Sequence, residues 1–252
     1  MHLRDPICSA SHLLTALWAA YAGLVLLRLT PPLLGRRIAV AVFGLSMVLL
    51  YLASGIFHGV PFTRADNPEE FRFFQKLDQS AIYVLIAGTN TPCLAILLSG
   101  RRARWFLALM WAIAAAGIAC QWLLPKPPHA VIVGLCLGMG WLGIVPIGRY
   151  YRMVGWRAMN WMWLGAAAYT FGAICELTEW PVIATTPLRF GFHEVMHLCD
   201  TAGSMAFFVF ILRHVVDYSP ARGRITRERD SASSSSIRPG SAVPTSRFPV
   251  RP

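Results

Sequence analysis

The sequence predicts an all-α fold: a polytopic membrane protein built as a bundle of seven transmembrane helices. Two observations carry that expectation. Of 252 residues, 56% are hydrophobic, more than a soluble domain of ordinary composition carries. The apolar residues are not scattered but gathered into seven runs of about 18 or more, the length that crosses a hydrocarbon core of ~30 Å. Trp18, Trp105, Trp122, Tyr150, Tyr151 and Trp180 fall near the ends of these runs, where interfacial side chains belong.

The runs follow in order. A short N-terminal segment, residues 1–12, precedes Leu13–Leu29. That first run reads as a retained span rather than a cleaved signal, since no small-residue cleavage site followed by a soluble domain comes after it. The second run is Ile38–Gly59, and the third, Asp78–Ser99, opens on an acid that also suits an N-cap. Between them, Thr63–Lys76 mixes basic and acidic residues with Phe71, Phe73 and Phe74, the pattern of a short helix lying in the interface. Trp105–Leu124, Ala130–Ile147, Met159–Thr178 and Phe192–Val216 complete the set. The membrane domain therefore covers residues 13–217. Residues 218–252 turn to Ser, Arg and Pro, including Ser233-Ser234-Ser235-Ser236, and are too poor in apolar residues to fold alone.

A net charge of +11 would suggest nucleic acid in a soluble protein, but here its placement excludes that partner. Alternating the loops between two sides leaves Arg4, Arg64, Arg72, Lys76, Lys126 and Arg189 on one side. The remaining 17 of the 23 basic residues, including every arginine of the tail, fall on the other. Positive-inside bias then places the C-terminus in the cytoplasm and the N-terminus outside, with the plasma (inner) membrane as the expected location. The six cysteines include no C-x-x-C pair, so neither a disulfide framework nor a thiolate zinc site is expected.

Ionisable side chains within apolar runs are costly and point to function. His193 and His197, four apart, share one helix face. Helix parity brings His58, at the end of run two, and Asp78, at the start of run three, to the same side of the membrane. Three imidazoles with a free fourth position match catalytic zinc sites, in which the ion lowers the pKa of water towards ~7. Asp78 is the candidate general base. Ser54, one turn before His58, suits a hydrogen bond to the water, a substrate oxygen or an imidazole. Taken singly, each residue has a plainer role: interfacial histidine, helix cap, or hydroxyl bonded to a backbone carbonyl. Their convergence favours Zn2+ held by His58, His193 and His197. Asp200, one turn past His197, is a candidate partner of a ligand imidazole or a second proton-handling group. Glu176 remains ambiguous, and Glu194 points away from the two-histidine face.

Three separated motifs resemble the haemolysin III and adiponectin/progestin receptor family of seven-span membrane proteins. Ser54-Gly55-Ile56-Phe57-His58 is similar to the family's S-x-x-x-H. Leu77-Asp78-Gln79-Ser80-Ala81-Ile82-Tyr83, continuing through Ile86-Ala87-Gly88-Thr89-Asn90-Thr91-Pro92, is similar to its third-helix signature. Phe190-Gly191-Phe192-His193-Glu194-Val195-Met196-His197 is similar to its seventh-helix H-x-x-x-H. The resemblance implies zinc on His58, His193 and His197, a water between the ion and Asp78, and hydrolysis of a lipid amide such as a ceramide. Asp200 and Glu176 depart from the family's usual residues. The leading expectation is a zinc-dependent hydrolase of a membrane lipid amide or ester. The alternative is a receptor or membrane-state sensor with structural zinc, and a pore-forming cytolysin ranks last.

Overall fold

The computed structural model describes residues 3–98, 100–124, 128–184 and 190–219. Eight α-helices occupy the described residues: α1 Pro6–Leu29, α2 Leu34–Gly59, α3 Pro68–Pro92, α4 Arg101–Leu123, α5 His129–Leu142, α6 Ile147–Val154, α7 Trp156–Thr178 and α8 Phe192–Phe210. Helices α3 and α8 each run on into a π-helical turn, Cys93–Leu97 and Ile211–Val215. A two-stranded antiparallel pair, β1 Val182–Ala184 and β2 Phe190–Gly191, precedes α8. Most of the Ser/Arg/Pro-rich tail, from residue 220, lies outside the described residues.

The protein is a helical polytopic membrane protein. Five helices are long and apolar enough to cross a membrane: α1, α2, α4, and α3 and α8 with their π-helical extensions. The pair α5 and α6, bent by 46° between Leu142 and Ile147, makes a sixth if taken as one span. Helix α7, on the expected sixth run, carries Arg157, Asn160 and Glu176 and does not reach that apolarity by itself.

Two helix starts differ from the apolar runs, for the same reason. Helix α1 begins at Pro6 rather than Leu13, because Cys8, Ser9, His12 and Thr15 turn a polar stripe inwards while Leu13, Leu14 and Leu17 face out. Helix α3 begins at Pro68, so Asp78 lies well inside it and does not cap it. The cap is Asn67, whose side chain accepts from the Glu70 amide at 3.4 Å. Pro68 follows at a position where the lost N–H costs nothing, and Glu69 and Glu70 complement the helix dipole. The short interfacial helix expected over Thr63–Lys76 is therefore the first part of α3.

Phe43, Met47, Tyr83, Leu94, Met110 and Phe210 are buried between helices, while Leu14, Leu17, Leu45, Leu49 and Leu123 are exposed. Lipid surrounds such a surface, so packing and polar bonds must hold the helices together in place of the hydrophobic effect. The Tyr51 hydroxyl of α2 reaches the Asp200 carbonyl at 2.8 Å and the Ser204 hydroxyl at 2.6 Å on α8. Gln121 of α4 donates to Gln79 of α3 at 2.9 Å, and Trp122 to Ser80 at 3.1 Å. Helices α1 and α2 meet at Gly23 and Gly44, where a Cβ on Gly44 would stand 3.0 Å from the Gly23 backbone. Gly44→Val is expected to cost about 1–3 kcal/mol of stability, read as a lower unfolding midpoint in detergent. Leu45→Val, on the exposed face beside it, should leave that midpoint nearly unchanged.

Candidate metal centre

Three helices bring their ends to one point. His58 lies in the last turn of α2, and His193 and His197 lie one turn apart at the start of α8. The β1–β2 pair and the Gly191 cap fix where α8 begins, with Glu194 Oε2 accepting from the Gly191 amide at 2.8 Å. Helix α1 is pinned against α2 by the Asp5 amide donating to the His58 carbonyl at 3.0 Å and Ser9 donating to the Gly55 carbonyl at 2.8 Å. His58 and His197 are only 3% and 2% exposed.

The three imidazoles face one another through Nε2. His193 Nε2 is 3.4 Å from His58 Nε2 and 3.3 Å from His197 Nε2. Nitrogens bound about 2.0–2.1 Å from one tetrahedral ion would stand about 3.3–3.4 Å apart. The outer nitrogens set the tautomers. His58 Nδ1 pairs with Asp5 Oδ2 at 2.9 Å, and His193 Nδ1 with Glu176 Oε2 at 2.9 Å. A carboxylate only accepts, so Nδ1 carries the proton in both rings. His197 Nδ1 lies 3.0 Å from His12 Nδ1, while His12 Nε2 lies 3.3 Å from the His197 carbonyl. That carbonyl can only accept, so a neutral His12 donates from Nε2 and accepts at Nδ1 from His197. All three Nε2 atoms therefore turn lone pairs towards one place. Lone pairs at that spacing repel unless a cation lies among them.

Cys8 completes the group: its Sγ and the three imidazole ligand atoms lie within 4.8 Å of one another. The arrangement can hold a metal ion, and three imidazoles with a thiol suit zinc and the later transition metals. The carboxylates behind His58 and His193 orient the rings and raise their basicity. Burial alone would raise the Asp5 carboxyl, but hydrogen bonds from His58 and Arg4, with the Arg4 charge, outweigh it and hold it at about 2. Glu176 also faces His129, at 3.2 Å. Replacing Glu176 by Gln should weaken metal affinity roughly 10–100-fold, measured by competition with a chromophoric chelator. Unchanged affinity would mean that His193 is oriented without it.

Asp78 lies within electrostatic reach of His58, His193 and Ser54, the last buried on α2. It opens onto a cavity of about 220 Å³ between α3, α5, α7 and α8. Asp78, Gln79, His129, Glu176, His193 and Asp200 gather on its polar lining, while Ile82, Leu85, Ile132, Leu137, Ile144 and Phe207 form apolar wall. Asp200 thus joins the cavity lining rather than an imidazole of the cluster. Glu194 is engaged by the α8 cap and by the Cys8 thiol, which donates to its Oε1 at 3.4 Å.

The structure brings His58, His193 and His197 together, with Asp78 and Ser54 beside them. Sequence reasoning missed Cys8, Asp5 and His12. The signal for two of them was Cys8, His12 and Thr15 recurring at helical spacing in an otherwise apolar stretch.

A family model described as "Haemolysin-III related" matches residues 2–208. The protein named "Hemolysin-3" from Bacillus cereus is 34% identical over 179 residues, which cover 71% of this chain and 76% of that protein. "Hemolysin-3 homolog" from Bacillus subtilis (strain 168) is 31% identical over 179 residues, covering 71% of this chain and 78% of that protein. The matched span contains the whole cluster, from Asp5 to His197, so the chain belongs to the haemolysin-III-related family.

Proposed function

We propose that this protein binds Zn2+ through His58, His193 and His197 and hydrolyses a lipid amide or ester at that site, in the manner of a ceramidase. The observation that carries the reading is the convergence of three Nε2 lone pairs beside a cavity with a carboxylate-rich polar lining and apolar walls. An amphiphile matches that cavity: acyl chain along Ile82, Leu85 and Leu137, headgroup towards Asp78 and His193. Zinc, when bound, polarises a carbonyl and acidifies water. The side chains do the rest. Asp78 takes the proton of the attacking water on its carboxylate and returns it to the leaving group. Ser54 holds that carboxylate in place. The apolar walls keep bulk water from the reacting carbonyl.

We read α1, α2, α3, α4, the α5–α6 pair, α7 and α8 as seven spans, and place the C-terminus on the cytoplasmic side of the plasma membrane on the strength of the charge bias. A second reading, a receptor or membrane-state sensor with structural zinc, draws support from Cys8, since structural sites fill all four positions. The relatives' printed names suggest cytolysis. A polar lining confined to part of one cavity supports amphiphile binding over a pore. The test is release of free fatty acid from ceramides and lipid esters by purified, zinc-loaded protein, wild type beside His58→Ala. Sustained release that the variant lacks supports hydrolysis. No release by the metal-loaded wild type, or undiminished release by metal-free His58→Ala, overturns it.

A further inference from the structure

A second cavity, of about 380 Å³, lies at the other end of the bundle from the metal centre. The π-helical turn after α3, the start of α4 and the start of α6 border it, and Arg102, Arg149 and Arg152 share its lining with Leu94, Leu98 and Phe106. Arg149 and Arg152 are three apart on α6 and so lie on one helix face, where like charges repel. No carboxylate lines the cavity, and among the described residues no ion pair is found at these arginines. Asp217 is the one described acid at this end of the bundle, and it is not part of the lining. The tail from residue 220 is itself arginine-rich, so it does not supply the missing charge. Both helix starts add to the imbalance. Neither α4 nor α6 has a side-chain cap or an acid in its first turn, so two positive dipole ends border the same cavity.

We propose that this cavity binds the phosphate of an anionic phospholipid, with Arg102, Arg149 and Arg152 on its oxygens and acyl chain along Leu94, Leu98 and Phe106. Guanidinium forks suit phosphate oxygens bidentately. The surroundings make the occupant a lipid. Apolar wall continues directly from the arginines, and Trp105 and Trp156 nearby are exposed, as side chains at headgroup level are. Free phosphate would leave that wall uncovered. The charge bias also puts these arginines on the cytoplasmic side, whose leaflet is the anionic one and where basic pockets between helices take lipid headgroups. The inference does not depend on metal or on hydrolysis, since no residue of the metal centre takes part. It also gives the α5–α6 break a use. Ile144 lines the cavity beside the metal centre, while Val145 and Pro146 line this one. A headgroup held here therefore braces one wall of the other cavity.

Native mass spectrometry of the full-length protein in detergent tests this, with phosphatidylglycerol as the anionic probe and phosphatidylcholine as its zwitterionic counterpart. The wild type should retain phosphatidylglycerol in preference. Arg102→Gln/Arg149→Gln/Arg152→Gln should weaken that retention on the order of 100-fold, roughly fivefold per arginine. Arg101→Gln/Arg104→Gln/Arg157→Gln removes the same charge from the same end without touching the lining. It should change retention only a few-fold, because salt screens charges that do not meet the phosphate. Equal losses in the two variants, or no loss in the first, overturn the site. Phosphatidylcholine held as tightly as phosphatidylglycerol by the wild type overturns the anionic occupant. Displacement of the lipid by equimolar glycerol 3-phosphate makes the occupant a free phosphate and overturns the lipid. Should the first variant fold poorly, unfolding midpoints of the wild type and the second variant decide. A rise in both with phosphatidylglycerol, but not with phosphatidylcholine or glycerol 3-phosphate, supports the site, and no such difference excludes it.

Discussion

Purified wild-type protein should carry about one zinc ion per chain, and His58→Ala should lose nearly all of it. Zinc held by a complete protein ligand set is worth roughly 10–16 kcal/mol, so one ligand in four accounts for about 3–4 kcal/mol, an affinity loss on the order of 10²–10³-fold. His58 ought to lie at the upper end, for two reasons. Its ring is buried, so no side chain from solvent can replace it. It is also the sole ligand from α2, whereas His193 and His197 come together from α8. Asp5→Asn is the matched control. It keeps the shape around His58 Nδ1 but removes the carboxylate that fixes the tautomer, and should cost only about 10–100-fold. Elemental analysis after gel filtration reads both. Stoichiometric zinc in well-folded His58→Ala would show that the imidazoles converge for some reason other than metal.

How far the sequence led differs between fold and site, and the reason lies in what an apolar run can report. Ile38–Gly59 and Trp105–Leu124 mark α2 and α4 to within a few residues, because these helices are apolar on nearly every face. Helix α1 escaped at its start. Its first turns carry Cys8 and His12 on the inner face, so hydropathy alone reads them as outside the membrane. For α3, the sequence held a better signal than the one followed: Asn67-Pro68-Glu69-Glu70 is a complete helix start, whereas Asp78 merely opens an apolar run. The imidazoles themselves were legible, since histidine in an apolar segment is conspicuous and four-residue spacing fixes a face. Their supports were not. Glu176 meets His193 only because α7 and α8 are turned back on each other by the β1–β2 pair, and Asp5 meets His58 across an interval of 53 residues. Nothing local in either stretch announces the partner.

Asp78→Asn separates chemistry from metal binding. The substitution keeps the volume and the contact with Ser54 but removes both the negative charge and the basic site. Turnover of the lipid substrate should fall by about 10²–10⁴-fold, the usual contribution of a positioned general base. Zinc content should not fall, because Asp78 is not among the four residues whose ligand atoms cluster. Ser54→Ala should produce a smaller fall, since the carboxylate survives and only its orientation loosens. The two measurements together admit only one favourable pattern. A variant that keeps wild-type turnover removes Asp78 from the mechanism. A variant that loses zinc along with turnover makes Asp78 a ligand. Only retained metal with collapsed turnover leaves Asp78 as the base and the three histidines as the site it serves.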